Sequence, residues 1–251
     1  MSYTKGAAFV SWRGESLAAE SAPDACLDRQ VWHMLTGRQA HLALDGEAAK
    51  RIDPRYGPFA ALRDDGPEAQ AALRTLARGQ GDELWFVEPE PVPPPLGFRV
   101  KRSAALLQMI AGEEAGPDER HDPEAVPLGE EHADAMTALA LATRPGPWGE
   151  LTRCYGPFYG IFREGRLAAM AGERMLPCPG LAEVSGVCTW PELRGQGLAR
   201  RLMLHVMAGF RARGDRPFLH TYADNAVAIG LYRKLGFSER RVMTLTVLEP
   251  I

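Results

Sequence analysis

Apolar positions in the second half of the chain repeat with two periods, and each period predicts elements. Leu181-Ala-Glu-Val-Ser-Gly-Val-Cys-Thr189 is rich in strand formers, and Pro191 stops the run. Ala199, Leu202, Met203, Val206 and Phe210 then share one helical face, with Gly214 where a C-cap is expected. A second strand–helix unit follows. Phe218 to Tyr222 predicts a short strand, Asp224 or Asn225 a cap, and Ala228, Leu231, Tyr232 and Leu235 a helical face closed by Gly236. Residues 238–249 alternate and predict the last strand. Upstream, 124–128 reads as a strand, 130–143 as a helix and 144–148 as a loop. Residues 158–162 and 166–170 form a hairpin around Glu164-Gly165, its second strand running on to Met175.

The amino-terminal pattern is weaker. Residues 30–35 predict a helix and 41–44 a strand or second helix. Residues 59–62 and 83–87 read as short buried strands, with a helix over 67–77 between them and another strand over 104–110. Five prolines in 88–96 forbid a regular element and predict a rigid turn. Residues 112–123 have almost nothing to bury and read as a linker. The expected organisation is therefore a smaller α/β domain at 1–111, the linker, and a second domain at 124–251.

Candidate chemistry lies between the strand ending at Thr189 and the helix carrying Phe210. Arg194-Gly-Gln-Gly-Leu-Ala199 puts two residues without a Cβ at a helix start, where unpaired N–H groups point outward and suit a phosphate or pyrophosphate. The third glycine of the dinucleotide fingerprint is absent, Arg200 standing there. Residues 193–213 hold five arginines and no acid. Arg194, Arg200 or Arg201 would pair with phosphates or occupy a solvated face, and Arg211 and Arg213 would complement the helix's negative end.

Composition narrows the partners. A hydrophobic share of 45% with 24% charged residues allows an ordinary core. The net charge of −3 argues against general nucleic-acid binding. No apolar run approaches the ~18 residues of a membrane span, and Met1 to Lys5 does not open a signal peptide, so a cytoplasmic chain without membrane contact is expected. Cys26, Cys154, Cys178 and Cys188 show no metal spacing, so four reduced thiols and no bound metal are expected.

Two segments resemble the GNAT superfamily of acyl-CoA-dependent N-acyltransferases. Arg194, Gly197 and Ala199 fill its Gln/Arg-x-x-Gly-x-Gly/Ala signature, and Asn225, Ala228, Leu231, Tyr232, Gly236 and Phe237 fill its other coenzyme segment. Glu183 to Thr189 is similar to the branch related to glycine N-acyltransferases, which often carries a divergent first half of similar fold. The likeness covers about 124–251. It implies a mixed, mostly antiparallel sheet flanked by helices, preceded by a smaller divergent α/β half. It further implies transfer of an acetyl group from acetyl-CoA to the primary amine of a small or amino-acid-like acceptor. A protein or peptide acetyltransferase and a non-catalytic acyl-CoA sensor are the alternatives. Assembly stays open between a single chain and a homodimer.

Site residues follow from the same likeness. Val187, Cys188 and Thr189 would hold the pantetheine arm and the carbonyl, and Arg194, Gly195, Gln196, Gly197, Leu198, Ala199, Arg200 and Asn225 the rest of the coenzyme. Tyr232 occupies the general-acid position. Glu183, with side-chain parity matching Val187 and Thr189, is the expected base, with Glu173 and His220 as rivals. The loop after the first helix would cover the acceptor and offers Arg144, Trp148 and Tyr155, with His220 reaching the same space.

Overall fold

The structure, a computed structural model, describes residues 24–44, 46–114, 116 and 119–251. Expectations that fall on residues 1–23, and on three positions of the expected linker, lie outside the described residues. The described residues open with a 3-10 turn and α1 (Gln30–Thr36). A small antiparallel sheet of β1 (Ala43–Leu44), β2 (Ala49–Ile52) and β3 (Ala60–Leu62) follows. Then come α2 (Pro67–Leu76), which begins with proline at its first turn, β4 (Leu84–Glu88) and β5 (Phe98–Ala111). The second half supplies β6 (Val126–Pro127), α3 (Ala133–Thr143), β7 (Phe158–Arg163), β8 (Arg166–Glu173) and β9 (Leu181–Thr189). It ends with α4 (Leu198–Ala212), β10 (Arg216–Tyr222), α5 (Ala226–Lys234) and β11 (Phe237–Pro250).

Eight strands form one sheet in the order β4-β11-β5-β10-β9-β8-β7-β6. Every neighbouring pair is antiparallel except β9 with β10. The sheet is thus the mixed, mostly antiparallel one expected, with helices against both faces. On one face α4 buries Leu202, Met203, Val206 and Phe210 together with Ile229 and Tyr232 of α5. On the other, Leu27, Val31, Met34 and Leu35 pack against Phe218, Met243 and Leu245. Burial of this kind is the main stabilising term, about 1.5–3 kcal/mol for each large side chain.

Three features depart from the sequence pattern. β5 spans 98–111 rather than 104–110, and it pairs with β10 on one side and β11 on the other. Its first half carries no apolar period because Arg99 to Ser103 is exposed along the far end of β11. Residues 84–111 therefore belong to the same sheet as the strands that follow residue 124. β2 shows no strand pattern because it contains Arg51, which is buried and forms a bidentate pair with Asp82. Third, Cys26 and Cys178 form a disulfide across 152 positions, correcting the expectation of four reduced thiols. Only the packing of the α1 segment against the loop after β8 brings them together, which no local spacing foretells. Cys154 and Cys188 are free.

Candidate active site

The site begins with a fault in the sheet. β9 and β10 pair only at Leu181–Glu183 with Arg216–Phe218, and beyond that point the strands part. On its other side β9 carries an extra residue. Met170 faces Cys188 and Gly172 faces Ser185, so Ala171 opposes both Gly186 and Val187. Gly186 adopts φ +63°, and a Cβ there would lie 2.6 Å from the Phe158 ring, so the bulge requires glycine. A cavity of about 550 Å³ opens at the parting. Val187, Cys188 and Thr189 line it from β9, and His220, Thr221 and Tyr222 from β10. The bulge also breaks the expected side-chain parity: Glu183 does not share the wall with Val187 and Thr189.

One wall is backbone and helix start. Gly195 and Gly197 adopt φ +77° and +74°, and Gly197 is the N-cap of α4. The first turn of α4 carries neither a side-chain cap nor an acid, which leaves its N–H groups for an anion. A Cβ on either glycine would meet no described atom within 4 Å. Arg194 and Ala199 line the cavity, while Gly195, Gln196 and Gly197 form the exposed turn between them. Leu198 is core, Arg200 is not on the wall, and Arg201 is committed to Asp122 and Glu124. Across the opening, Asn225 caps α5 through the Ala228 N–H and also lines the cavity. Tyr232 lies on the wall about two turns further along α5, its ring edge-on to Phe237, and burial pushes its hydroxyl up to about 12. The Thr189 hydroxyl is buried with no partner among the described residues, a donor left for a ligand. Burial also pushes the neighbouring Cys188 thiol up to about 12, so it stays protonated.

The opposite wall is made of side chains from distant segments. Gln30 of α1, Phe59, Trp85 and Val87 meet Leu106 of β5 and Leu245 of β11. The 144–147 loop and Arg174 close it. Of the predicted acceptor residues, Arg144 and His220 are on the wall and Trp148 and Tyr155 are not. Trp148 packs edge-on against Phe158 at 5.7 Å and donates to the Thr137 hydroxyl. Tyr155 is buried edge-on against Tyr56, and burial raises its phenol.

Beneath this wall runs a buried polar chain. Arg174 donates to both Glu183 oxygens, at 2.8 and 2.7 Å, and Glu183 is fully buried. His220 Nδ1 lies 2.8 Å from Glu183 Oε1, and its Nε2 lies 3.0 Å from the Gln108 amide nitrogen. Arg240 donates to the Gln108 carbonyl oxygen, which turns the amide nitrogen toward His220. His220 therefore donates from Nδ1 to Glu183 and accepts from Gln108 at Nε2. Burial would raise the Glu183 carboxyl, but the Arg174 guanidinium outweighs it and, with His220, holds it at about 2. Glu173, the rival base, pairs with Arg213 away from the cavity, and burial raises its carboxyl. Sequence reasoning passed over Arg174 and Gln108. The one available signal was a glutamine inside the apolar run 104–110.

A crystal structure from Novosphingobium aromaticivorans, assigned to the GNAT family as an acetyltransferase, is 57% identical. The match covers 90% of this chain and 99% of that one, with a TM-score of 0.84. The chain belongs to the GNAT family. A GCN5-related N-acetyltransferase from Kribbella flavida shares the fold at 19% identity, with a TM-score of 0.56 over 94% of this chain and 96% of its own. The mycothiol acetyltransferase of Tsukamurella paurometabola is 40% identical over 80 residues, 30% of this chain and 27% of that protein. This GNAT chain thus spans about a quarter of the length of that curated relative. The model of the FR47-like protein family matches residues 158–245. That span takes in the backbone and helix-start wall from Val187 to Tyr232 and leaves out Gln30, Phe59, Trp85 and Arg144. Among the described residues, no helix of this GNAT protein is long and apolar enough to cross a membrane, and no cluster of His, Cys, Asp and Glu could hold a metal.

Proposed function

We propose that this GNAT protein transfers the acetyl group of acetyl-CoA to the amine of a small molecule. The observation that carries the reading is a single cavity holding a parted strand pair, an uncapped helix start and the Tyr232 hydroxyl. Phosphates would sit at Gly195 to Gly197 with Arg194, since backbone N–H groups and a guanidinium both favour anions. The pantetheine arm would run along Val187 to Thr189, where β9 has no strand partner on the β10 side. Those N–H groups and the unpaired Thr189 hydroxyl would hold the thioester carbonyl, stabilising charge as it develops on oxygen.

Tyr232 is protonated across the working pH range and donates to the departing thiolate. The described wall carries no carboxylate, and the Nε2 lone pair of His220 is taken by Gln108. The amine therefore gives its proton to water, and Glu183 acts beneath the surface by holding Arg174 and His220 in place. The amino-terminal segment closes the acceptor side with Gln30, Phe59 and Trp85, which suits a small acceptor better than a peptide in an open groove. A sensor would have no use for a phenol held protonated beside the thioester.

Thermal denaturation with CoA and acetyl-CoA tests the reading, alongside a free-thiol assay with an amine panel. A ligand at 100 times its Kd adds about 2.7 kcal/mol, roughly 5–10 °C in Tm for a domain of this size. No shift and no thiol release with any amine would overturn it.

A further inference from the structure

Resting on the reading just given, we infer that the acceptor is an amine that also bears a carboxylate on a small apolar body. The charge of the cavity points there. Among the described residues its wall carries three guanidinium groups, Arg144, Arg174 and Arg194, and no aspartate or glutamate. Arg194 belongs to the glycine turn at the coenzyme side. Arg144 and Arg174 belong to the acceptor side, where no coenzyme phosphate is placed.

Arg174 is built as a donor. Its Nε and Nη2 are held by Glu183, whose other contact is His220, so the guanidinium plane is fixed from below. Its Nη1 has no partner among the described residues and lies against Gly146, 3.6 Å from where a Cβ would stand. Gly146 is two positions from Arg144, so the free donor edge and the second guanidinium flank the same loop. Arg144 caps the end of α3 at φ +50°, its backbone N–H donating to the Ala140 carbonyl, while its guanidinium has no hydrogen bond or ion pair among the described residues. Because Glu183 balances Arg174, the uncompensated charge on this side is that of Arg144, and one acceptor carboxylate cancels it. Beside the neutral polar groups of Gln30 and His220, the rest of this side is apolar and partly aromatic: Phe59 edge-on to Trp85, with Val87, Leu106 and Leu245. A polyamine or a lysine-rich peptide would meet only like charge here, and a desolvated like charge is strongly disfavoured.

The reaction balances on these groups. The neutral amine nitrogen forms the C–N bond, the C–S bond breaks, and the thiolate takes the Tyr232 proton. The proton lost by the amine passes through water and restores the phenol.

The test is a matched acceptor series at saturating acetyl-CoA, read by CoA thiol release. Apolar and aromatic amino acids are compared with their own carboxamides, with the amines lacking the carboxylate, and with spermidine. Loss of a charge-assisted pair corresponds to a 10- to 100-fold fall in kcat/KM, and that ratio is expected between acid and amide. Arg144→Gln should bring the ratio toward one, Arg144→Lys should keep part of it, and the acetyl-CoA KM should stay within twofold in both. Arg144 is exposed, so neither change endangers the fold. Amides or spermidine outperforming the acids, or an unchanged ratio in Arg144→Gln, would overturn this inference and leave acetyl transfer standing. Absence of thiol release with every amine would instead remove the function on which it rests.

Discussion

The two walls of the cavity are built in different ways. The side proposed for the coenzyme comes from two continuous stretches, 186–199 and 225–232, and is built from backbone: a bulge at Gly186, left-handed glycines at 195 and 197, an uncapped helix start. The acceptor side draws single side chains from α1, the segment before β3, β4, β5, the 144–147 loop and β11, and relies on buried charge to hold them. A backbone site tolerates change at most of its neighbours, because the N–H groups remain whatever the side chains are. A side-chain site depends on each contributor. The family match follows that line, covering the coenzyme side and omitting most of the acceptor side.

The comparison is broken most severely from below the acceptor side. Glu183→Gln leaves the buried Arg174 charge without its partner, and unfolding in urea should show a loss of about 3–5 kcal/mol. The sign of the pH effect follows from the same pair. The Glu183 carboxyl titrates lower folded than its ordinary 4.5, so its stabilisation is complete above that value and lost as pH falls toward about 2. A variant as stable as the parent with the same acid limb would remove the pair from the account. On the coenzyme side, Tyr232→Phe keeps the ring and its contact with Phe237 but deletes the proton donor. Turnover should fall about 10²-fold with CoA affinity little changed, and an unaltered chemical step would discard the general-acid role. The smallest effect sharpens the backbone argument. Gly197→Asp projects into open space but must hold φ +74°, a strain of about 1–3 kcal/mol that the fold should survive. Its charge occupies the phosphate position, and CoA affinity measured by calorimetry should drop about tenfold. Unchanged affinity would make the turn purely structural.

What could be read from the chain alone tracks how local each signal was. β9 was legible to the residue and the cap of α5 to one of two neighbours, Asp224 or Asn225, because strand formers, glycines and capping side chains report on their immediate surroundings. The lower half of β5 was not legible, since Arg99 to Ser103 are strand residues only because β11 lies alongside. Trp148 and Tyr155 looked like acceptor contacts in a loop, but Phe158 and Tyr56 draw their rings into packing instead.

Sequence by itself determined the backbone wall of the cavity, the side we propose for the coenzyme. Glycine's freedom at positive φ, the helix period and the turn chemistry are properties of a few adjacent residues, and they held wherever the rest of the chain went. Apart from Arg144 and His220, tertiary structure decided the side we propose for the acceptor. It placed Gln108 between Arg240 and His220, joined Cys26 to Cys178 across 152 positions, and turned Glu183 inward to hold Arg174. A buried charge is stable only against its partner, and that partner is chosen by packing, not by its distance along the chain.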